Sequence, residues 1–258
     1  MVNGFNCRIE GAPDAPWVVL SNAIGTNLSL WDDLVPALSP RYRILRYDQR
    51  GHGKSIVPPA PYSFAELASD VTMLMDSAGI ARAHFVGMSM GGVTGWELAL
   101  TCPERLHSLT ICDAAVSGSA AAWEERLAVI RTAGFDALVE PTLARWFSKR
   151  ALATQSPALQ RVRAMLQTTP PPGFEGCANA LQAFDYTHAL EAIETPVLLV
   201  SGAEDGLRPQ AMLAEAKRIP GARSCLVPDA GHLSNIENPE VFNRAVVDFI
   251  DGVEAARK

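Results

Sequence analysis

Two periodicities alternate along the chain. Short runs rich in β-branched and apolar residues carry few polar positions: Trp17–Ala23 (WVVLSNA), Tyr42–Asp48 (YRILRYD), Ala83–Ser89 (AHFVGMS), Leu106–Ala114 (LHSLTICDA), Pro196–Gly202 (PVLLVSG) and Ala222–Pro228 (ARSCLVP). Such runs read as strands covered on both faces, the habit of parallel sheets. Between them apolar residues recur at helical spacing, which predicts helices over Leu28–Leu38, Ser63–Ala78, Met90–Leu100, Gln210–Ile219 and Pro239–Ala255. In the last of these Val241, Phe242, Ala245, Val246 and Phe249 form the inward stripe. Strand–helix alternation of this kind predicts an α/β fold, a mainly parallel sheet with helices on both faces. The first residues are expected to add an antiparallel hairpin at the sheet edge.

The alternation stops between Ala115 and Thr195, where only helical patterns appear, interrupted by Thr168–Gly176 (TTPPPGFEG). Unstructured loops beyond about 15 residues are uncommon in a compact domain, so this stretch predicts an inserted helical cap. The expected division is a core of residues 1–116 and 187–258, with 117–186 as the cap.

Composition narrows the class. At 258 residues, with 48% hydrophobic and 19% charged side chains, the chain suits one large globular domain. No apolar run approaches the roughly 20 residues that cross a bilayer. The first residues lack the basic, apolar and small-residue sequence of a secretory signal, which points to the cytoplasm. Five scattered cysteines without a C-x-x-C pair argue against a disulfide framework and a zinc site. A net charge of −6 with dispersed cations offers no stripe for nucleic acid, and an anionic small molecule would need cations gathered locally.

The chemistry is concentrated at strand ends. Gly87-Met88-Ser89-Met90-Gly91 is a G-x-S-x-G turn between a strand and a helix, where small neighbours let the serine occupy a sharp bend above the sheet. A serine hydroxyl is a weak nucleophile and needs a base and an orienting acid, which in this arrangement follow in the order acid, then histidine. His232 follows the last predicted strand and is the candidate base. His52, His84, His107 and His188 occupy turn, strand or helix-exit positions and read as structural or surface residues. Asp205, after Pro196–Gly202, is the candidate acid; Asp113, after Leu106–Cys112, is its competitor. Backbone N–H groups of Met90, at a helix N-terminus, and Ala23, in the loop after the first long strand, are the candidate oxyanion donors. The scheme requires no cofactor and no metal.

Taken together, SNAIGTNLSLWDDLVPAL, YDQRGHGKS, GMSMGG, GAEDGLRP and AGHLSNIENPE resemble the α/β-hydrolase superfamily over essentially the whole chain. The resemblance places nucleophile, acid and base at Ser89, Asp205 and His232. SNAIG stands where many members carry His-Gly. Within the superfamily the chain is most similar to bacterial 3-oxoadipate enol-lactonases, a likeness that extends through AAWEERLAVIRTAGFDAL, LARWFSKR and MLQTTPPPGFEGCANALQAFDY of the cap. It implies hydrolysis of a small lactone or ester through an acyl-enzyme. A carboxylesterase or another lactonase is the alternative, and cofactor-free haloperoxidase chemistry uses the same three groups. The enol-lactone carries a free carboxylate, and the cap is where a cation to hold it is expected. In FDALVEPTLARWFSKR, Val139, Leu143, Trp146 and Phe147 form an apolar stripe, and Arg150 lies one turn beyond Trp146. Trp146 is then expected to wall the ring and Arg150 to pair with the carboxylate, with Arg145 and Lys149 pointing elsewhere.

Overall fold

The six strands expected from the apolar runs are joined by a short seventh at the edge. The computed structural model describes residues 1–206 and 208–257. Among them β1 (Cys7–Gly11), β2 (Trp17–Ser21), β3 (Arg43–Tyr47), β4 (Ala83–Met88), β5 (Leu106–Cys112), β6 (Val197–Gly202) and β7 (Arg223–Val227) form one sheet in the order β1-β3-β2-β4-β5-β6-β7. All neighbours pair in parallel except β1 with β3. Every residue of β4 and of β6 is buried, as strands covered on both faces require.

The helices are α1 (Val35–Leu38), α2 (Phe64–Ser77), α3 (Met90–Thr101), α4 (Ala120–Ala133), α5 (Val139–Trp146), α6 (Lys149–Thr154), α7 (Pro157–Gln167), α8 (Pro171–Gln182), α9 (Arg208–Ala216), α10 (Ser234–Glu237) and α11 (Pro239–Arg257). The α2 N-terminus is a full capping box, Ser63 and Glu66 satisfying each other's backbone amides. Helix α1 packs on α11 and α2 packs on α3. Helices α4 to α8 all fall between β5 and β6. No described helix is long and apolar enough to cross a membrane.

Two expectations are corrected. The N-terminal residues form no hairpin. The strand β1 is a single segment whose Cys7 and Gly11 register with Tyr47 and Arg43 of β3, while Val2 bridges only Phe5. The next strand, β2, is paired on both sides by β3 and β4, so the free edge open to an antiparallel partner is that of β3. The single helix expected over Leu28–Leu38 is a 3-10 turn at Leu28–Trp31 followed by α1. Pro36 lies in the first turn of α1, where its missing N–H and its ring bar a continuous helix through Asp32.

The order of the sheet positions the site. From β2 the chain moves one way to β3, then returns past β2 to β4 and continues the other way to β5. The carboxyl ends of β2 and β4 therefore flank the crevice where strand order reverses, the place where ligands bind in open α/β sheets. Ala23 follows β2 and Ser89 follows β4.

Candidate active site

Ser89 sits on a backbone bend with φ 51° and ψ −113°, a conformation that costs a non-glycine residue on the order of 1–3 kcal/mol. Its surroundings hold it there. The Ser89 N–H donates to the Cys112 carbonyl of β5 at 2.7 Å, and the Ser89 carbonyl accepts the Val93 N–H at 3.0 Å. A Cβ on Gly87 would lie 2.2 Å from the Gly91 carbonyl oxygen, and one on Gly91 2.1 Å from that of Ser21. The two glycines are thus demanded by close approach of strand, turn and helix, as the G-x-S-x-G reading expects.

The loops after β6 and β7 bring Asp205 and His232 to this bend. His232 Nε2 is 2.9 Å from Ser89 Oγ, and Nδ1 is 2.8 Å from Asp205 Oδ2. With the proton on Nδ1, Nε2 is free to accept the serine hydroxyl. Burial pulls the imidazole's pKa down, but the charge of Asp205, its hydrogen bond and the charge of Asp113 outweigh this and leave it above 6.5. The ring stacks on Trp146, centroids 5.8 Å apart at 26°, and the His232 N–H donates to the Trp146 carbonyl at 2.7 Å.

Facing Ser89 across the crevice, the loop after β2 is tightly tied. Thr26 Oγ1 donates to the Ala23 carbonyl at 2.7 Å, Asn22 Nδ2 to the Thr26 carbonyl at 3.0 Å, and Gln49 Nε2 to the Asn22 carbonyl. The Gly25 N–H donates to His52 Nε2 at 2.8 Å. Full burial lowers the His52 pKa to about 4, so the ring is neutral and Nε2 remains an acceptor. The Ala23 and Met90 N–H groups have no acceptor among the described residues. His52 read from sequence as a turn residue; only its long-range bond to Gly25 reveals that it holds the crevice loop.

Above these groups lies a cavity of about 320 Å³ lined by Ser89, Asp205, His232 and, from the helical segment, Trp123, Trp146 and Phe174 among others. Val139, Leu143, Trp146 and Phe147 are buried as the apolar stripe expected. Arg150 is elsewhere. The helix that would have carried it under Trp146 ends there; Phe147 is extended, with φ −104° and ψ 148°, and Ser148 caps a new helix. Arg150 consequently lies exposed in the first turn of α6 and does not line the cavity. Arg145, expected to point away, lines it together with Arg126 of α4 and Arg208 of α9.

The three cations differ. Arg208 is paired with Glu215 in a nearly buried bridge. Arg126 and Arg145 form no salt bridge with any described carboxylate; Arg126 lies 4.2 Å over the Trp123 ring, and Arg145 reaches only the Pro141 carbonyl and Thr142 Oγ1, at 3.3 and 3.4 Å. Burial and then the neighbouring Arg145 push Arg126 down to about 10, and burial lowers Arg145. Two guanidiniums at one cavity, with the charge of Arg145 disfavouring the charged form of Arg126, suit an anion beside them.

One joint links the helical segment to the histidine loop. Glu237 accepts hydrogen bonds from Ser148 Oγ at 2.6 Å, from the Ser148 N–H and, at 2.7 Å, from the Gly231 N–H. Among the described residues no group of three or more His, Cys, Asp or Glu is placed to hold a metal ion.

A seven-stranded, mainly parallel sheet with a serine on its strand-to-helix bend defines a class, and the comparisons name it. The α/β-hydrolase fold family model matches residues 16–239, and the chain belongs to that family. It is 34% identical to 3-oxoadipate enol-lactonase 2 of Acinetobacter baylyi over 94% of this chain and 91% of that protein. It is also 34% identical to a protein of Pseudomonas savastanoi pv. phaseolicola provisionally named carbamate hydrolase RutD, over 92% and 95% of the two chains. Among solved structures the enol-lactonase from Burkholderia xenovorans LB400 superposes with a TM-score of 0.92 at 40% identity, covering 97% of this chain and 98% of that one.

Proposed function

We propose that this hydrolase is a cytoplasmic serine enzyme that opens a small lactone bearing a carboxylate, with 3-oxoadipate enol-lactone as the substrate, and that residues 117–186 form the cap over its site. The observation that carries the reading is the hydrogen-bonded line Ser89–His232–Asp205 beneath a cavity lined by two guanidiniums that have no carboxylate partner among the described residues. The likeness to two enol-lactonases supports the substrate class.

The steps follow from the geometry. Ser89 Oγ attacks the lactone carbonyl while His232 Nε2 takes its proton, and Asp205 holds the imidazole and favours its cationic form. The negative charge that forms on the carbonyl oxygen is met by the Ala23 and Met90 N–H groups; one such donor contributes about 3 kcal/mol to the transition state. Collapse breaks the ring C–O bond, and the departing enolate oxygen stays tethered to the acyl chain. It takes the proton held by His232, which returns the imidazole to its neutral form, and tautomerises to the ketone, which removes the nucleophile that could close the ring again. Water, deprotonated by His232, then releases the acid from Ser89. The substrate carboxylate lies between Arg126 and Arg145, with Trp146 beside the ring.

Hydrolysis rates on a panel of the enol-lactone, neutral lactones, aryl esters and a simple carbamate test the reading. The enol-lactone should lead in kcat/KM, and its advantage should shrink when Arg126 is replaced. A lead for neutral aryl esters would instead make the chain a carboxylesterase, and a lead for the carbamate would align it with the RutD-named relative.

A further inference from the structure

Asp113 is a carboxylate 2% exposed that the serine mechanism above leaves without a task. It follows β5 on a left-handed bend, φ 48°, unusual for a residue with a side chain. Its Oδ1 accepts the Gly202 N–H at 2.7 Å, and its Oδ2 accepts Ser234 Oγ–H at 2.5 Å. Gly202 ends β6 three residues before Asp205, and Ser234 lies two residues after His232. One buried side chain therefore ties the loop of the acid to the loop of the base, and it lines the same cavity as both.

The charge on this side chain matters as much as its bonds. No arginine or lysine among the described residues forms a salt bridge with Asp113, and the positive charge that acts on it is that of the His232 imidazole once it is protonated. A carboxylate enclosed in this way is costly unless a cation appears beside it. We propose that Asp113 is a positioning residue and second anion of the site: it sets the Asp205 and His232 loops in register through Gly202 and Ser234, and its charge favours the imidazolium form of His232. This rests on the serine mechanism proposed above.

The charged and titratable groups facing the pair are few. His232 faces Asp205 from the loop after β6, Asp113 from the end of β5 and Arg145 from α5. Asp113 faces Asp205 and His232, with Cys112 beside it on its own strand. Burial keeps the Cys112 thiol protonated. For Asp113 itself, burial and the Asp205 charge push the pKa up to about 7, against the pull of His232, Ser234 and Gly202. The Asp113 anion favours the imidazolium beside it, so its removal lowers the pH at which His232 becomes a free base.

Asp113→Asn is the test, because an amide still accepts from Gly202 and still bonds to Ser234. The midpoint of the acid limb of kcat/KM should move to lower pH by about half a unit to one unit. The imidazole titration of His232 followed by NMR should move the same way. Ser234→Ala, which removes a donor that favours the Asp113 anion, should move the midpoint in the same direction by less, and it decides the matter if Asp113→Asn does not fold. A uniform loss of rate with an unmoved midpoint in the folded variants would overturn the proposal and leave Asp113 a loop tie only. Failure of the underlying mechanism reads differently: the wild type itself would then show no such limb.

Discussion

The strand ends below the cavity and the helices above it are built on different principles. Below, the backbone is the instrument. Ser89 is held by a bend that only Gly87 and Gly91 permit, the Ala23 loop by a set of bonds that converge on it, and the hydrogen-bonded Ser89, His232 and Asp205 follow three strands of one sheet. Above, side chains on short helices line the cavity, and what they can reach depends on where each helix breaks. The break at Phe147 sends Arg150 to solvent and leaves Arg145 at the cavity. The lesson is that changes below should act on the chemical step whatever the substrate, and changes above on the choice of substrate.

The largest expected break is below. Asp205→Asn should lower kcat by about 10⁴-fold on every substrate, since the amide no longer holds the imidazole tautomer or stabilises its charge. Steady-state kinetics on the enol-lactone and on an aryl ester check this. If Asp113→Asn proves the more damaging change, the acid is Asp113.

The joint between the regions comes next. Glu237→Gln leaves one acceptor oxygen for Ser148 and Gly231, so the helical segment and the His232 loop should both loosen. A fall in kcat of about tenfold and a lower Tm are expected, in line with about 1.5–3 kcal/mol for hydrogen bonds made by a charged group. Kinetics and thermal unfolding read the two effects.

Above the cavity, Arg126→Ala should raise KM for the carboxylated lactone about tenfold and leave neutral aryl esters almost untouched. Arg145→Ala should do the same more weakly, because Arg145 is more open to solvent than Arg126 and its attraction is more screened. Arg150→Ala should change neither. Equal losses on both substrate types would return Arg126 to a packing role.

The smallest effect is in pH. His232 must be neutral to take the serine proton, and Asp205 and Asp113 hold its pKa above the ordinary 6.5. Activity should therefore rise with pH through a midpoint above 6.5, and a rate flat from about pH 5 to 8 would contradict it.

The same contrast governs how much could be read from residues alone. Ser89, Asp205 and His232 were legible because glycine spacing and strand order are local and sequential. The glycine contacts of the bend and the loops after β6 and β7 lie where those patterns put them. Helical spacing misplaces Arg150 because it does not register Phe147 and Ser148, where a long-range contact to Glu237 and a fresh N-cap end the helix. Arg126 was overlooked for a related reason: it shares the cavity with Arg145 only after α4 and α5 fold over the sheet. His52 and the tie made by Asp113 rest on bonds to Gly25, Gly202 and Ser234, partners 27, 89 and 121 residues away, which no window of sequence contains. Leu28–Leu38 carried its own warning in Pro36, outweighed there by apolar spacing.

The central claim is that Ser89 is an activated nucleophile. Incubating the wild type and Ser89→Ala with a fluorophosphonate, and locating the adduct by peptide mass spectrometry, addresses it directly. Rapid, stoichiometric labelling on Ser89 is expected in the wild type and none in the variant, with the variant's fold unchanged by circular dichroism. An unlabelled Ser89, or a Ser89→Ala protein that still turns over its substrate near the wild-type rate, would contradict it.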